Sequence, residues 1–136
     1  MPIRYKIYPQ EKFIWEQFSG MVTMADIHDI TPEIWADPAY NTSLNALIDM
    51  SKATLNMSHE EVITLGQFFL ESAESAQGKV ALVTNKTVDT ALGMIYKSKM
   101  ASKNDTQIFS TLEAACNYLK IELQILDFGT IEKNSF

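Results

Sequence analysis

Residues 44–61 read LNALIDMSKATLNMSHEE: an apolar run that stops at Asp49, a short polar stretch, and a restart at Ser58. Leu44 to Met50 is brief and mostly apolar, the pattern of a strand covered on both faces. Ser58 precedes His59, Glu60 and Glu61, so its hydroxyl can accept a free N–H of a starting helix while the acids sit at the positive end of the helix dipole. A buried strand that crosses a polar loop, Asp49 to Met57, into a helix is the repeating unit of an open α/β sheet. Ligands and partners usually dock at such crossings.

Upstream, Ile3, Tyr5 and Ile7 alternate with Arg4, Lys6 and Tyr8, and Phe13, Trp15 and Gln17 alternate with Ile14, Glu16 and Phe18. This period of two predicts two strands, joined as a hairpin by Pro9 to Lys12. Thr23 and Asp26 have the spacing of a capping box and open a helix, which Thr31-Pro32 should kink or restart before Asp37-Pro38 ends it.

Downstream, a helix is predicted from Ser58 to about Ala76, with Val62, Leu65, Gly66, Phe69, Ala73 and Ala76 on one stripe and Gly78 as its stop. Lys79 to Thr84 reads as a buried strand. Thr87 to about Lys103 reads as a helix with Val88, Ala91, Leu92 and Ile95 inward, and Asp105 to Phe109 as a last short strand. Ser110 and Glu113 form a second capping box before Leu112, Ala115, Cys116 and Leu119. Ile121, Leu123 and Ile125 alternate with Glu122 and Gln124 as an added strand would, and Asp127 to Phe136 reads as a loose tail. Strands alternating with helices at this spacing require crossovers, so the expected fold is α/β: a mostly parallel central sheet, an antiparallel N-terminal hairpin and about four flanking helices.

A chain of 136 residues suits one domain, here residues 1–120 with 121–136 as a C-terminal extension. The single Cys116 excludes an internal disulfide framework, and Met1 to Phe13 has neither the apolar core nor the cleavage site of a signal peptide, so a cytoplasmic address is expected. No apolar run is long enough to span a membrane. The net charge of −6 disfavours nonspecific adhesion to nucleic acid or an anionic bilayer. Residues 79–103 depart from that balance, with five lysines against Asp89 alone.

The element order, with LNALIDMSKATLNMSHEEV at the second crossover, KVALVTNKTVDTALGMIYKSKM at the third and IFSTLEAACNYL at the end, resembles the SpoIIAA-like fold. The chain is similar to the small bacterial proteins grouped with STAS and Sec14-type lipid-binding domains, and the resemblance covers Ile3 to Leu119. In the anti-sigma-factor antagonists of that fold, an Asp-Ser-Ser/Thr-Gly motif before the second long helix carries a phosphorylatable serine. Here the region holds Asp49, Ser51 and Ser58 but no such tetrad and no glycine. Ser58 is the better-placed acceptor, because phosphate at a helix N-terminus meets free N–H groups.

Catalytic patterns are weak. His28 and Asp29 are adjacent on a helix and do not preform a base pair with its orienting acid. No HExxH or CxxC spacing exists, so neither a metal nor another cofactor is implied. Gly78-Lys79 lacks the remaining residues of a phosphate-binding loop. Cys116, on an apolar stripe, reads as a buried inert thiol. An enzyme is therefore not expected.

Two functions fit what remains. One is a regulatory or protein-interaction module acting through Asp49, Ser51 and Ser58. The other is a binder of a small apolar or amphipathic, lipid-like ligand between the helices and the sheet, with an anionic group met by Lys97, Lys99 or Lys103 and an adaptable lining from Met94, Tyr96 and Met100. Phe68 and Leu70 lie off the main stripe of their helix, which suggests an apolar surface that a second copy could cover.

Overall fold

The protein is described from a computed structural model covering residues 2–126. The predicted tail lies outside those residues. Five strands form one sheet in chain order: β1 (Ile3–Tyr8), β2 (Phe13–Thr23), β3 (Asn45–Asn56), β4 (Lys79–Val83) and β5 (Asp105–Phe109). β1 and β2 are antiparallel and the remaining neighbours parallel. The helices are α1 (Met24–Ala36), α2 (His59–Glu71), α3 (Thr87–Met100) and α4 (Leu112–Leu119). This is the expected α/β architecture.

Sequential strand order has a consequence for the layers. Each parallel crossover is right-handed, and because all three step the same way across the sheet, α1, α2 and α3 fall on one face. Among the described residues, α4, which follows the last strand, and the segment after it to Leu126 cover the other. Buried side chains divide accordingly: Ile14, Phe18, Ala46, Met50, Val80 and Leu82 face the three helices. Phe13, Trp15, Leu47, Ala81 and Val83 pack against Ala115, Cys116 and Leu119 of α4.

Local chemistry sets most boundaries. Thr23 and Asp26 form the expected capping box, as do Ser58 and Glu61. α1 runs through Pro32 as one helix rather than restarting, and Thr31 Oγ1 donates to the Ile27 carbonyl one turn back at 2.7 Å. Four other expectations are corrected. α2 ends at Glu71, where Lys103 Nζ from the loop after α3 donates to the carbonyls of Phe69, Leu70 and Ser72 and so replaces the next turn. α3 turns Asp89, Leu92, Gly93 and Met100 inward and leaves Val88 and Ala91 exposed. The cap of α4 is Thr111, whose hydroxyl accepts from Ala114 N, not Ser110. Leu123–Ile125 forms a 3-10 turn in place of an added strand.

The largest correction falls on the opening stretch. β3 does not end near Met50 but continues to Asn56, pairing with β2 throughout. Between Gln17↔Asp49 and Ser19↔Lys52 the register slips by one residue, so β3 carries an extra residue at Met50-Ser51. Such a bulge reverses which side chains face the core. Ala46 and Met50 point to the helices before it, Ala53 and Leu55 after it. Asp49, 1% exposed, accepts from the Ser51 backbone N–H (3.0 Å) and hydroxyl (2.6 Å), which satisfies the polar groups at the slip. Gly20, at φ 68° in the facing segment of β2, supplies a backbone angle that other residues adopt at a cost.

Beyond Asp49, β3 has no pairing to β4, which stops at Val83. The first turn of α3 takes over. Lys86 Nζ donates to the carbonyls of Ala53 (2.6 Å) and Ser51 (3.4 Å), and Asp89 Oδ1 accepts the Leu55 N–H at 3.3 Å.

Candidate functional site

Between the sheet and the layer of α1, α2 and α3 lies an apolar cavity of about 140 Å³. Its floor is the helix-facing set of the strands: Ile14, Glu16 and Phe18 of β2, Ala46, Ile48 and Met50 of β3, Val80 and Leu82 of β4. Its roof comes from Ile34 and Trp35 of α1, Leu65 and Phe69 of α2, and Leu92, Gly93 and Tyr96 of α3, with Tyr40 from the loop after α1. Aromatic contacts hold the roof together. Trp35 stacks on Phe68 with ring centroids 5.9 Å apart, and Phe69 meets Trp35 and Tyr96 edge-on at 6.0 and 6.2 Å. Gly93 belongs where α3 passes closest to the floor, since a methyl there would already touch Ile108 at 3.4 Å and Leu82 at 3.6 Å.

One acid stands in this apolar wall. The alternation of β2 directs Glu16 to the same side as Ile14 and Phe18, beside Tyr40 and Tyr96. No hydrogen bond holds its carboxyl among the described residues. Burial without a partner favours the neutral acid, so its pKa is pushed up from the ordinary 4.5 to about 7. Burial and then the Glu16 charge raise the phenols in turn: Tyr40 goes up to about 12, and Tyr96 is also raised. Both tyrosines therefore stay protonated at neutral pH. A carboxyl poised near neutrality in a largely apolar cavity marks a candidate site.

Glu16 is the residue the sequence reading passed over. Its signal was present as an acid inside an otherwise apolar alternating set, Ile14, Glu16, Phe18, on a strand that the sheet buries on both faces.

The residues singled out from the sequence lie elsewhere, with one exception. Asp49 and Ser51 bond to each other at the bulge, and exposed Ser58 is held in its reciprocal cap with Glu61 at 3.0 and 3.1 Å. Lys97 donates to Gln107 on β5 at 2.9 Å, and Lys103 is spent on the end of α2. The stem of Lys99 lies over Gly66. None of the three lysines lines the cavity. Met94 is exposed and Met100 is buried outside the lining, whereas Tyr96 is part of it. Phe68 is half-buried between α1 and α2, where it touches His28 and Trp35. His28 and Asp29 are exposed, 3.9 Å apart. Among the described residues no cluster of His, Cys, Asp or Glu could hold a metal ion, and no helix is long and apolar enough to cross a membrane.

The SpoIIAA-like family model matches residues 13–120, from the start of β2 to the cap of α4. The chain belongs to the SpoIIAA-like family. Among solved structures, this SpoIIAA-like chain is similar to an uncharacterized protein from the DUF3478 family with a SpoIIAA-like fold from Shewanella loihica PV-4. The match has a TM-score of 0.56 at 15% identity and covers 86% of this chain and 91% of that one. At that identity the likeness extends to the fold. No curated protein matches the chain.

Proposed function

We propose that this SpoIIAA-like domain is a non-catalytic binding protein whose ligand is a small amphipathic molecule held between the sheet and helices α1 to α3. The observation that carries this reading is an apolar cavity of about 140 Å³ with an unpartnered carboxyl inside it. Apolar cavities near this size accept molecules such as benzene, while the buried polar group fixes orientation. The alternative regulatory site at Asp49, Ser51 and Ser58 has less support, because each of those side chains is already committed within the chain.

Trp35 lines the cavity and Trp15 lies on the opposite face, so a Trp15→Phe protein reports from the cavity alone. Native mass spectrometry of the purified wild-type chain should show a noncovalent adduct that vanishes on denaturation, and 1-hexanol should shift the Trp35 emission saturably. A bare chain whose Trp35 emission ignores the titrant would overturn the reading.

A further inference from the structure

The cavity wall restricts the head group a ligand can bring. Thr31, Tyr40 and Ser75 each own one hydroxyl proton, and each gives it to a protein carbonyl: Ile27 at 2.7 Å, Glu74 at 2.6 Å and Phe69 at 2.5 Å. What these groups still offer is lone pairs. An ionised Glu16 offers lone pairs only, and the donors left on this wall are the Tyr96 hydroxyl and the Trp35 indole N–H. Among the described residues of the lining there is no Lys, Arg or His.

An anionic head would therefore meet a negative group and only those two donors. A neutral alcohol could answer one acceptor. An ammonium brings three N–H donors and the complementary charge, and it is the head group that suits a wall containing the rings of Trp35, Phe69 and Tyr96, since aromatic faces attract cations rather than anions.

We propose that the cavity receives a primary amine on an apolar body of about six carbons, its ammonium seated against the Glu16 carboxylate and the Tyr40 and Tyr96 oxygens. This rests on the cavity being a ligand site. It reverses the polarity expected from the lysines of α3, which lie outside the lining.

The seat has a protonic signature. Glu16 is raised to about 7 by burial, so near neutral pH a fraction of the protein must lose that proton before an ammonium can pair with it. The titratable groups nearest Glu16 are Tyr5 across the β1–β2 pairing, whose hydroxyl meets Asp37, Tyr40 after α1, which also feels Glu74, and Tyr96 on α3. All three phenols are raised and stay neutral in this range. The lining residues of α2 and β4 carry no titratable side chain. Proton release on binding therefore reports on Glu16.

Calorimetric titration of the full chain with 1-hexylamine, 1-hexanol and hexanoate tests the idea. The amine should bind roughly tenfold or more tighter than the alcohol, with hexanoate weakest. At pH 7 amine binding should release about half a proton, read from the dependence of enthalpy on buffer ionisation, and the alcohol none. Glu16→Gln should reduce the amine to the affinity of the alcohol. If that variant does not fold, the proton count on wild-type protein decides instead. Equal affinity for amine and alcohol, tighter hexanoate, or amine binding without proton release would overturn the amine seat and leave the ligand site standing. Failure of all three probes would overturn the ligand site as well.

Discussion

On the α4 side of the sheet Phe13, Trp15, Leu47 and Ala81 retain no exposed area, whereas on the side of α1 to α3 a comparable set of apolar side chains surrounds empty space and a lone acid. The difference follows from topology. One short helix can settle onto the strands until its small residues, Ala115 and Cys116, touch them. Three helices forced onto one face by successive crossovers must also pack against each other, and their aromatic contacts hold the roof away from the floor. Close packing on one face stabilises the sheet, and the other face retains the cavity.

The comparison is most directly broken on the packed side. Trp15→Ala should cost about 3–5 kcal/mol in urea unfolding, because the surrounding residues cannot collapse into the space left. A cost under about 1 kcal/mol would mean that this face is no better filled than the other.

On the cavity side the next effect is electrostatic. The native acid at Glu16 holds its proton up to about 7 while the unfolded chain releases it near 4.5, so the native state binds more protons between those values. Stability should consequently fall as pH rises through that window, by at most about 3 kcal/mol and less where cavity water screens the charge. Below the window the contribution vanishes, since both states are protonated. Glu16→Gln should remove this slope in pH-dependent unfolding and leave a protein more stable than wild type above pH 7. A wild-type profile in which this window shows no Glu16-dependent slope would place the carboxyl in water instead.

The smallest effect should have the opposite sign. Gly93→Ala adds a methyl at ordinary contact distance from Ile108 and Leu82 and removes the flexibility of a glycine inside a helix. Thermal unfolding should therefore show a gain of about 0.5–1 kcal/mol. A loss would mean that α3 already sits as close to the floor as packing allows.

Much of this architecture was legible in the sequence, and the failures have particular causes. The hairpin and the caps at Thr23 and Ser58 depend on local chemistry and stand as read. SKATLN looked like a loop because the bulge at Met50-Ser51 reverses the alternation, and a bulge is settled by the neighbouring strand rather than by the residues themselves. The end of α2 was missed because its last carbonyls are answered by Lys103, more than thirty positions away. The candidate site suffered a similar loss. The lysines of α3 stood out by charge, but which face of a helix meets the sheet is decided by packing, and α3 turns Tyr96 inward and directs Lys97 to Gln107 on β5.

The contacts from Lys86 and Asp89 to the overhanging half of β3 have one further consequence. An unpaired strand margin invites a second chain to add a strand, which is a route to aggregation. Here two side chains, one cationic and one anionic, occupy the carbonyls of Ser51 and Ala53 and the N–H of Leu55 as a neighbouring strand would. A foreign strand would have to displace a buried carboxylate before it could form its first ladder bond. The first turn of α3 thus acts as a guard against polymerisation, made from side chains with no extra strand.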